Sequence, residues 1–264
     1  MALAFEEAKA LFRGMKPLIA LCLAAGLMVA AEAKEPRAFV VVSSSVNPAA
    51  EAVAGGQPQT FAMYIGDFEE YGSVGPGGAT PPEAEVINSA VQAALPAGQF
   101  VPVGAGQLPD VVIACHWGEL SPDGPDSRFQ AIPFGQMTRM DAMLMGLTRL
   151  RVHLSSSQRE QLRIEGSRAR YFLMVTAYDA TALQAGREVI RWQTRMSADS
   201  LANPVETVWA ALVDAGRPYF AKSLKRPELR WGTATADAIG SAGMAPKASE
   251  VISDADEHLA FKFL

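Results

Sequence analysis

The side chains able to do chemistry in this chain are few. Three histidines (His116, His153 and His258) and two cysteines (Cys22 and Cys115) are its whole complement of imidazole and thiol, and only Cys115 and His116 are neighbours. Adjacent residues of a strand point to opposite faces, so Cys115 cannot pass its proton to His116 as a nucleophile must to its base. Cys115 instead shares a face with Val111, Ile113 and Trp117 and reads as a buried, structural thiol. His116 lies opposite, with Val112 and Ala114, and gains chemical meaning only if an acid meets it there. No GxSxG turn, HExxH or paired-histidine spacing occurs, which leaves a hydrolase without its usual signatures. The loop Glu69 to Ala79 holds Gly72, Gly75, Gly77 and Gly78 ahead of a helix start, where N–H groups could cradle a phosphate. Pro81 and Pro82 remove two of those donors and Glu83 adds a negative charge, so a connector is expected.

Two patterns could hold a ligand. Met137, Met140, Met143 and Met145 place four of eleven methionines within nine residues. At 100° per residue, Met137, Met140 and Met143 drift by only about 60° per step, along one helix side. Thioether sulfur is a soft ligand suited to Cu(I), although methionine equally fills irregular cores. The second pattern is Arg187, Arg191 and Arg195. Glu188 to Ser197 alternates, with Ile190, Trp192, Thr194 and Met196 on one face and Arg191, Gln193 and Arg195 on the other. Guanidinium binds carboxylate or phosphate in a planar fork, so these arginines are the candidate anion-binding set. The competing expectation is that they pair with carboxylates of the acidic first half of the chain or face solvent.

Charge is distributed to suit either outcome. Residues 34–138 carry three basic and eleven acidic side chains, residues 139–199 ten arginines and six acids with no lysine, and residues 200–264 seven and eight. Over all 264 residues the net charge is −5, with 49% hydrophobic and 19% charged residues. That is globular composition and argues against nucleic acid as a partner.

Leu18 to Ala31 is an uncharged run that follows Lys16 and leads into Ala31-Glu32-Ala33. It reads as a secretory leader over residues 1–33, cleaved before Lys34, and is short for a membrane span. A start at Met15 gives a tidier leader. Cys22 follows the bulky Leu21, which does not suit a lipid-attachment site; with the short run cleaved away, no transmembrane segment is expected in the mature chain. Once the leader is removed only Cys115 remains, too few thiols for an intrachain disulfide.

The positioning elements follow from periodicity. Strands are expected at Phe39 to Ser44, Thr60 to Phe68, Gln99 to Val103, Asp110 to Gly118, Tyr171 to Asp179 and Glu188 to Ser197, the last two as antiparallel neighbours. A helix capped by Thr80, with Pro81 in its first turn, carries Ile87, Ala90, Val91, Ala94 and Leu95. Another is capped by Asn203 and striped by Val205, Val208, Trp209, Leu212 and Val213. Met137 to Leu147 and Ser157 to Ile164 read as short helices and Thr148 to Leu154 as a strand. These elements predict an α+β fold: a two-layer sandwich of a mainly antiparallel or mixed sheet with helices packed on one face. One domain spans 34–226, with an insertion at about 119–170, and 227–264 is expected as a loosely structured extension.

Thr60-Phe61-Ala62, a helix about twenty residues on, Pro109-Asp110 before an apolar strand, Tyr178-Asp179 and Trp192 give the chain a resemblance. It resembles a bacterial exported domain family of unknown function, many of whose members are lipoproteins, over roughly residues 39–222. The resemblance implies no catalytic residues. The expected function is that of an exported cell-envelope protein, periplasmic or peripherally associated with the envelope, acting as a non-catalytic binding or assembly module. Its partner would be an anionic envelope component or another envelope protein, with no cofactor. The alternatives are an envelope hydrolase and a copper-handling protein using Met137, Met140 and Met143.

Overall fold

Seven strands rich in β-branched, aromatic and small residues, which suit a pleated surface, pair into one sheet with two of them at its edges. The computed structural model describes residues 37–48, 57–71, 81–104, 106–120, 155–157, 160, 161, 164 and 168–234. Among them, β1 (Arg37–Val46), β2 (Gln59–Tyr71), β3 (Phe100–Pro102), β4 (Val111–Leu120), β5 (Arg170–Asp179), β6 (Ile190–Asp199) and β7 (Glu228–Thr233) form one sheet. Its order is β3-β2-β4-β5-β6-β1-β7. The pairs β3/β2 and β2/β4 are parallel; the others are antiparallel. Three α-helices accompany the sheet: α1 (Ala84–Ala94), α2 (Ala180–Gln184) and α3 (Val205–Gly216).

The expected two-layer sandwich is corrected. The sheet is a mixed, seven-stranded half-barrel, and the described residues are 45% strand against 29% helix, so the fold is mostly sheet. Long strands twist, and bulges bend them further. The register shifts between Ile65 and Phe68 on β2 and between Ala177 and Tyr178 on β5. The 13-residue β2 outruns its predicted end because its polar half alternates too weakly to be read as strand.

The main core lies between the sheet and helices α1 and α3. Val40, Val42, Phe61, Met63, Ile113, Cys115, Trp117, Leu173, Val175, Trp192 and Met196 meet Ile87, Val91, Val208, Trp209 and Leu212 there. Trp192 lies between Phe100, at 5.6 Å, and Phe220, stacked at 5.5 Å. On the opposite face a smaller cluster of Ala62, Val112, Ala114 and Tyr178 packs with Ala180 and Leu183 of α2.

Both expected helix caps move. Pro81 precedes Pro82 and is thereby kept out of the helical region, so α1 begins only after Glu83, which is extended at φ −64°, ψ 144°. Pro204 is itself the extended cap of α3, because the Asn203 side chain donates backwards to the Asp199 carbonyl at 2.7 Å. Ile190, expected in the core, is 40% exposed, since it opens β6 before Arg191, the extra residue that bulges this strand against β5. The expected loose extension from 227 is also corrected at its start. Glu228–Thr233 pairs with β1, which holds its register. The elements predicted at Met137 to Leu147 and Thr148 to Leu154, and most of that at Ser157 to Ile164, lie outside the described residues.

Candidate functional site

The β2 bulge explains the most concentrated group of polar side chains. Gly118 of β4 faces Glu69 of β2 so closely that a Cβ there would lie 1.8 Å from the Glu69 carbonyl oxygen; only glycine permits the approach. The Trp117 indole N–H donates to the Gly66 carbonyl at 2.8 Å and pins the bulge from the other strand. Because of that register shift, Glu69 faces His116. Its Oε1 lies 3.4 Å from His116 Nδ1, and its Oε2 accepts the Tyr71 hydroxyl. Burial first, then the Glu69 hydrogen bond and charge, push the Tyr71 phenol up to about 12, so it stays a donor. The His116 and Glu69 side chains are only 10% and 17% exposed, and the Tyr71 ring lies 5.7 Å from Phe172. The acid that His116 required is present, in an enclosed setting that fastens the bulge. Neither Glu69 nor Tyr71 was singled out from the sequence; their spacing of two places them on one face, but their meeting with His116 depends on the bulge.

The three predicted arginines do not converge on one ligand. Arg191 donates through Nε and Nη2 to Asp179 Oδ2, at 3.1 and 2.8 Å. Asp179 Oδ1 accepts the Ala182 N–H at 2.8 Å and so caps α2. Burial alone would raise the Asp179 pKa, but the Ala182 N–H and the Arg191 guanidinium outweigh it and hold the carboxyl below its ordinary value. Arg195 stands four residues further along β6, about 13 Å at strand rise. Its Nη2 donates to Gln193 Oε1, while Gln193 Nε2 donates to Thr176 Oγ1 at 2.8 Å. Arg187 is exposed in the turn after α2. The structure thus gives Arg191 an internal carboxylate, which comes from its own arginine-rich segment and not from the acidic first half.

Cys115 is fully buried, and burial pushes its thiol far above the ordinary range, so it carries no thiolate at neutral pH. Met137, Met140 and Met143 lie outside the described residues. Among the described residues no group of three or more His, Cys, Asp or Glu could hold a metal ion, and no helix is long and apolar enough to cross a membrane.

The motifs that carry the sequence resemblance have structural work. Asp110 Oδ2 accepts both the Thr60 N–H, at 2.7 Å, and the Thr60 hydroxyl, at 2.8 Å, which ties the starts of β2 and β4 together. Asp179 caps α2 and holds Arg191. Trp192 fills the core between Phe100 and Phe220.

One surface feature remains unexplained by folding. The two edge strands of the described sheet differ. β3 has three residues and ends in Pro102, which blunts an edge. β7 has six residues and no proline. Gly232 packs against α3, where a Cβ would lie 1.9 Å from the Ala211 carbonyl oxygen. Alternation therefore turns Trp231 to the opposite face, where it is 64% exposed and lies 5.1 Å from the Phe39 ring. Arg230, on the helix side, is held by Glu228 and sits 5.7 Å over the Tyr219 ring. The alternation Glu228-Leu229-Arg230-Trp231 stops at Gly232 and is too short to mark the strand from sequence.

No family model and no curated protein matches this chain. Among solved structures, it is similar to a PDZ domain protein from Parabacteroides distasonis, at 12% identity and a TM-score of 0.39, covering 75% of this chain and 39% of that one. It is also similar to PelC from Paraburkholderia phytofirmans, solved as a dodecamer, at 10% identity and a TM-score of 0.32, covering 70% of this chain and 99% of that one. A variant PelC dodecamer matches at 9% identity and the same TM-score, over 71% and 99%.

Proposed function

We propose that this chain is an exported cell-envelope protein acting as a non-catalytic binding or assembly module, and that its contact surface is the β7 edge of the sheet. The observation that carries the reading is Trp231, 64% exposed on a six-residue strand that pairs on one side only among the described residues. An open strand edge offers a row of N–H and C=O groups to which a partner can add a strand. Tryptophan is among the side chains that most often anchor protein contacts. The leader-like run Leu18 to Ala31 supports export. Of the two partner classes expected, another protein fits better than an anionic polymer, because the Arg191 charge is already met by Asp179.

The test is the size of the protein in its own envelope extract. Native gel filtration of a periplasmic extract should place the wild type above monomer mass and the Trp231→Lys variant at monomer mass. A lysine at an edge also discourages strand addition. Identical elution of wild type and variant would sink the β7 reading.

A further inference from the structure

We propose that the strand added at β7 is the β7 of a second copy of this chain, paired antiparallel about Trp231. The inference rests on the reading of β7 as the contact edge and goes beyond it by naming the partner. Symmetry and side-chain chemistry restrict how two such edges can meet.

When two identical edges pair antiparallel, the two-fold axis stands perpendicular to the sheet, so the same face of each copy lies on the same side. Residues directly opposite one another also point to the same side. Trp231 can therefore oppose Trp231 or another residue of its own face, never Arg230. Four centres fall inside Glu228–Thr233 under this rule, and one at Leu229 leaves only residues 228–230 in register. A centre at Arg230 sets two guanidinium groups directly opposite each other, which is unfavourable across a strand pair. A centre at Gly232 leaves only residues 231–233 of the strand in register. A centre at Trp231 pairs Leu229 through Thr233, sets the two exposed indoles against each other, places Leu229 beside Thr233 of the other copy, and puts Arg230 across from Gly232.

Each consequence fits a feature already described. The indole that is 64% exposed gains an aromatic partner, the favoured kind of cross-strand pair. Gly232 brings no side chain of its own to the seam, the space a Cβ would take there being filled by the Ala211 carbonyl of α3. Arg230 keeps its own Glu228, so no unpaired charge is brought into the contact. The opposite edge cannot do the same, since β3 is three residues long and holds Pro102. A contact of one strand pair is small beside a standard protein interface, so the dimer should be reversible and in the micromolar range.

Sedimentation of the purified full chain from nanomolar to high micromolar concentration should show a monomer–dimer equilibrium. Trp231→Lys and the milder Trp231→Thr, each checked for an unchanged circular dichroism spectrum, should weaken it at least tenfold. The register is tested with Leu229→Cys and Thr233→Cys. Mixed together under mild oxidation they should give a covalent dimer, whereas either alone should not, because neither position opposes itself. A chain that stays monomeric at every concentration, a dimer indifferent to both Trp231 variants, or cross-linking of one cysteine variant with itself would overturn the proposal. If the purified chain is monomeric while Trp231→Lys still shrinks the complex in the extract, self-pairing fails and the β7 reading survives. If Trp231→Lys changes neither, both fail.

Discussion

Replacing Arg191 with glutamine tests whether the arginine face is structural. The guanidinium makes two hydrogen bonds to one Asp179 oxygen, at 3.1 and 2.8 Å, between side chains only 15% and 23% exposed. Hydrogen bonds to charged groups contribute about 1.5–3 kcal/mol. Glutamine can keep one neutral bond and the site is partly solvated, so a loss of about 2 kcal/mol is expected. In a domain of this size each kcal/mol moves Tm by roughly 2–4 °C, so the variant should melt roughly 4–8 °C lower at neutral pH. Acid should narrow that gap. Burial favours the neutral Asp179 acid, but the Ala182 N–H and Arg191 prevail and its folded pKa lies below the unfolded one. The stability linked to this group is therefore complete above the unfolded pKa, near about 3.9, and is lost as pH falls through the folded value. Circular dichroism melts from neutral pH to about pH 3 should show the wild-type advantage intact near neutrality and shrinking below about pH 4. Equal melting at neutral pH, or an advantage that grows on acidification, would refute the assignment of Arg191 to an internal role.

Cys115→Ser places a hydroxyl among Ile113, Trp117 and Val175 and should cost about 1–3 kcal/mol, while the native thiol should react with a bulky maleimide far more slowly than free cysteine. Gly232→Ala drives a methyl group into the Ala211 carbonyl, which is backbone and cannot rotate away; amide exchange along β7 should accelerate while β4 and β5 stay protected. The Tyr71 phenol, pushed up to about 12 by burial and Glu69, should ionise nearer the ordinary value of about 10 in Glu69→Gln, as followed by ultraviolet absorbance; an unmoved transition would mean that Glu69 does not hold the phenol.

Much of the site chemistry was legible because it depends only on neighbours in sequence. Opposite-facing Cys115 and His116, and the inward Trp192 and Met196 against outward Arg191 and Arg195, follow from a side-chain period of two, which β4 keeps and β6 keeps from Arg191 onward. The partners were not legible, since each is remote. Glu69 reaches His116 only through a bulge at residues 65–68 that makes β2 and β4 pair out of simple step. Asp179 reaches Arg191 because β5 ends where β6 begins, on either side of a five-residue helix.

Local periodicity and side-chain type suffice to set the strands of the sheet interior, the apolar stripes of α1 and α3 and the inertness of Cys115. Tertiary structure decided the rest. It curled the sheet into a half-barrel where a sandwich was expected, since curvature accumulates from twist and two bulges that no window of sequence displays. It decided that Arg191 answers to Asp179, since register sets which charges meet. It also made a strand of residues 228–233 and left Trp231 in solvent: an edge strand takes its pattern from one neighbour, β1, and from the close approach of Gly232 to α3, both distant along the chain.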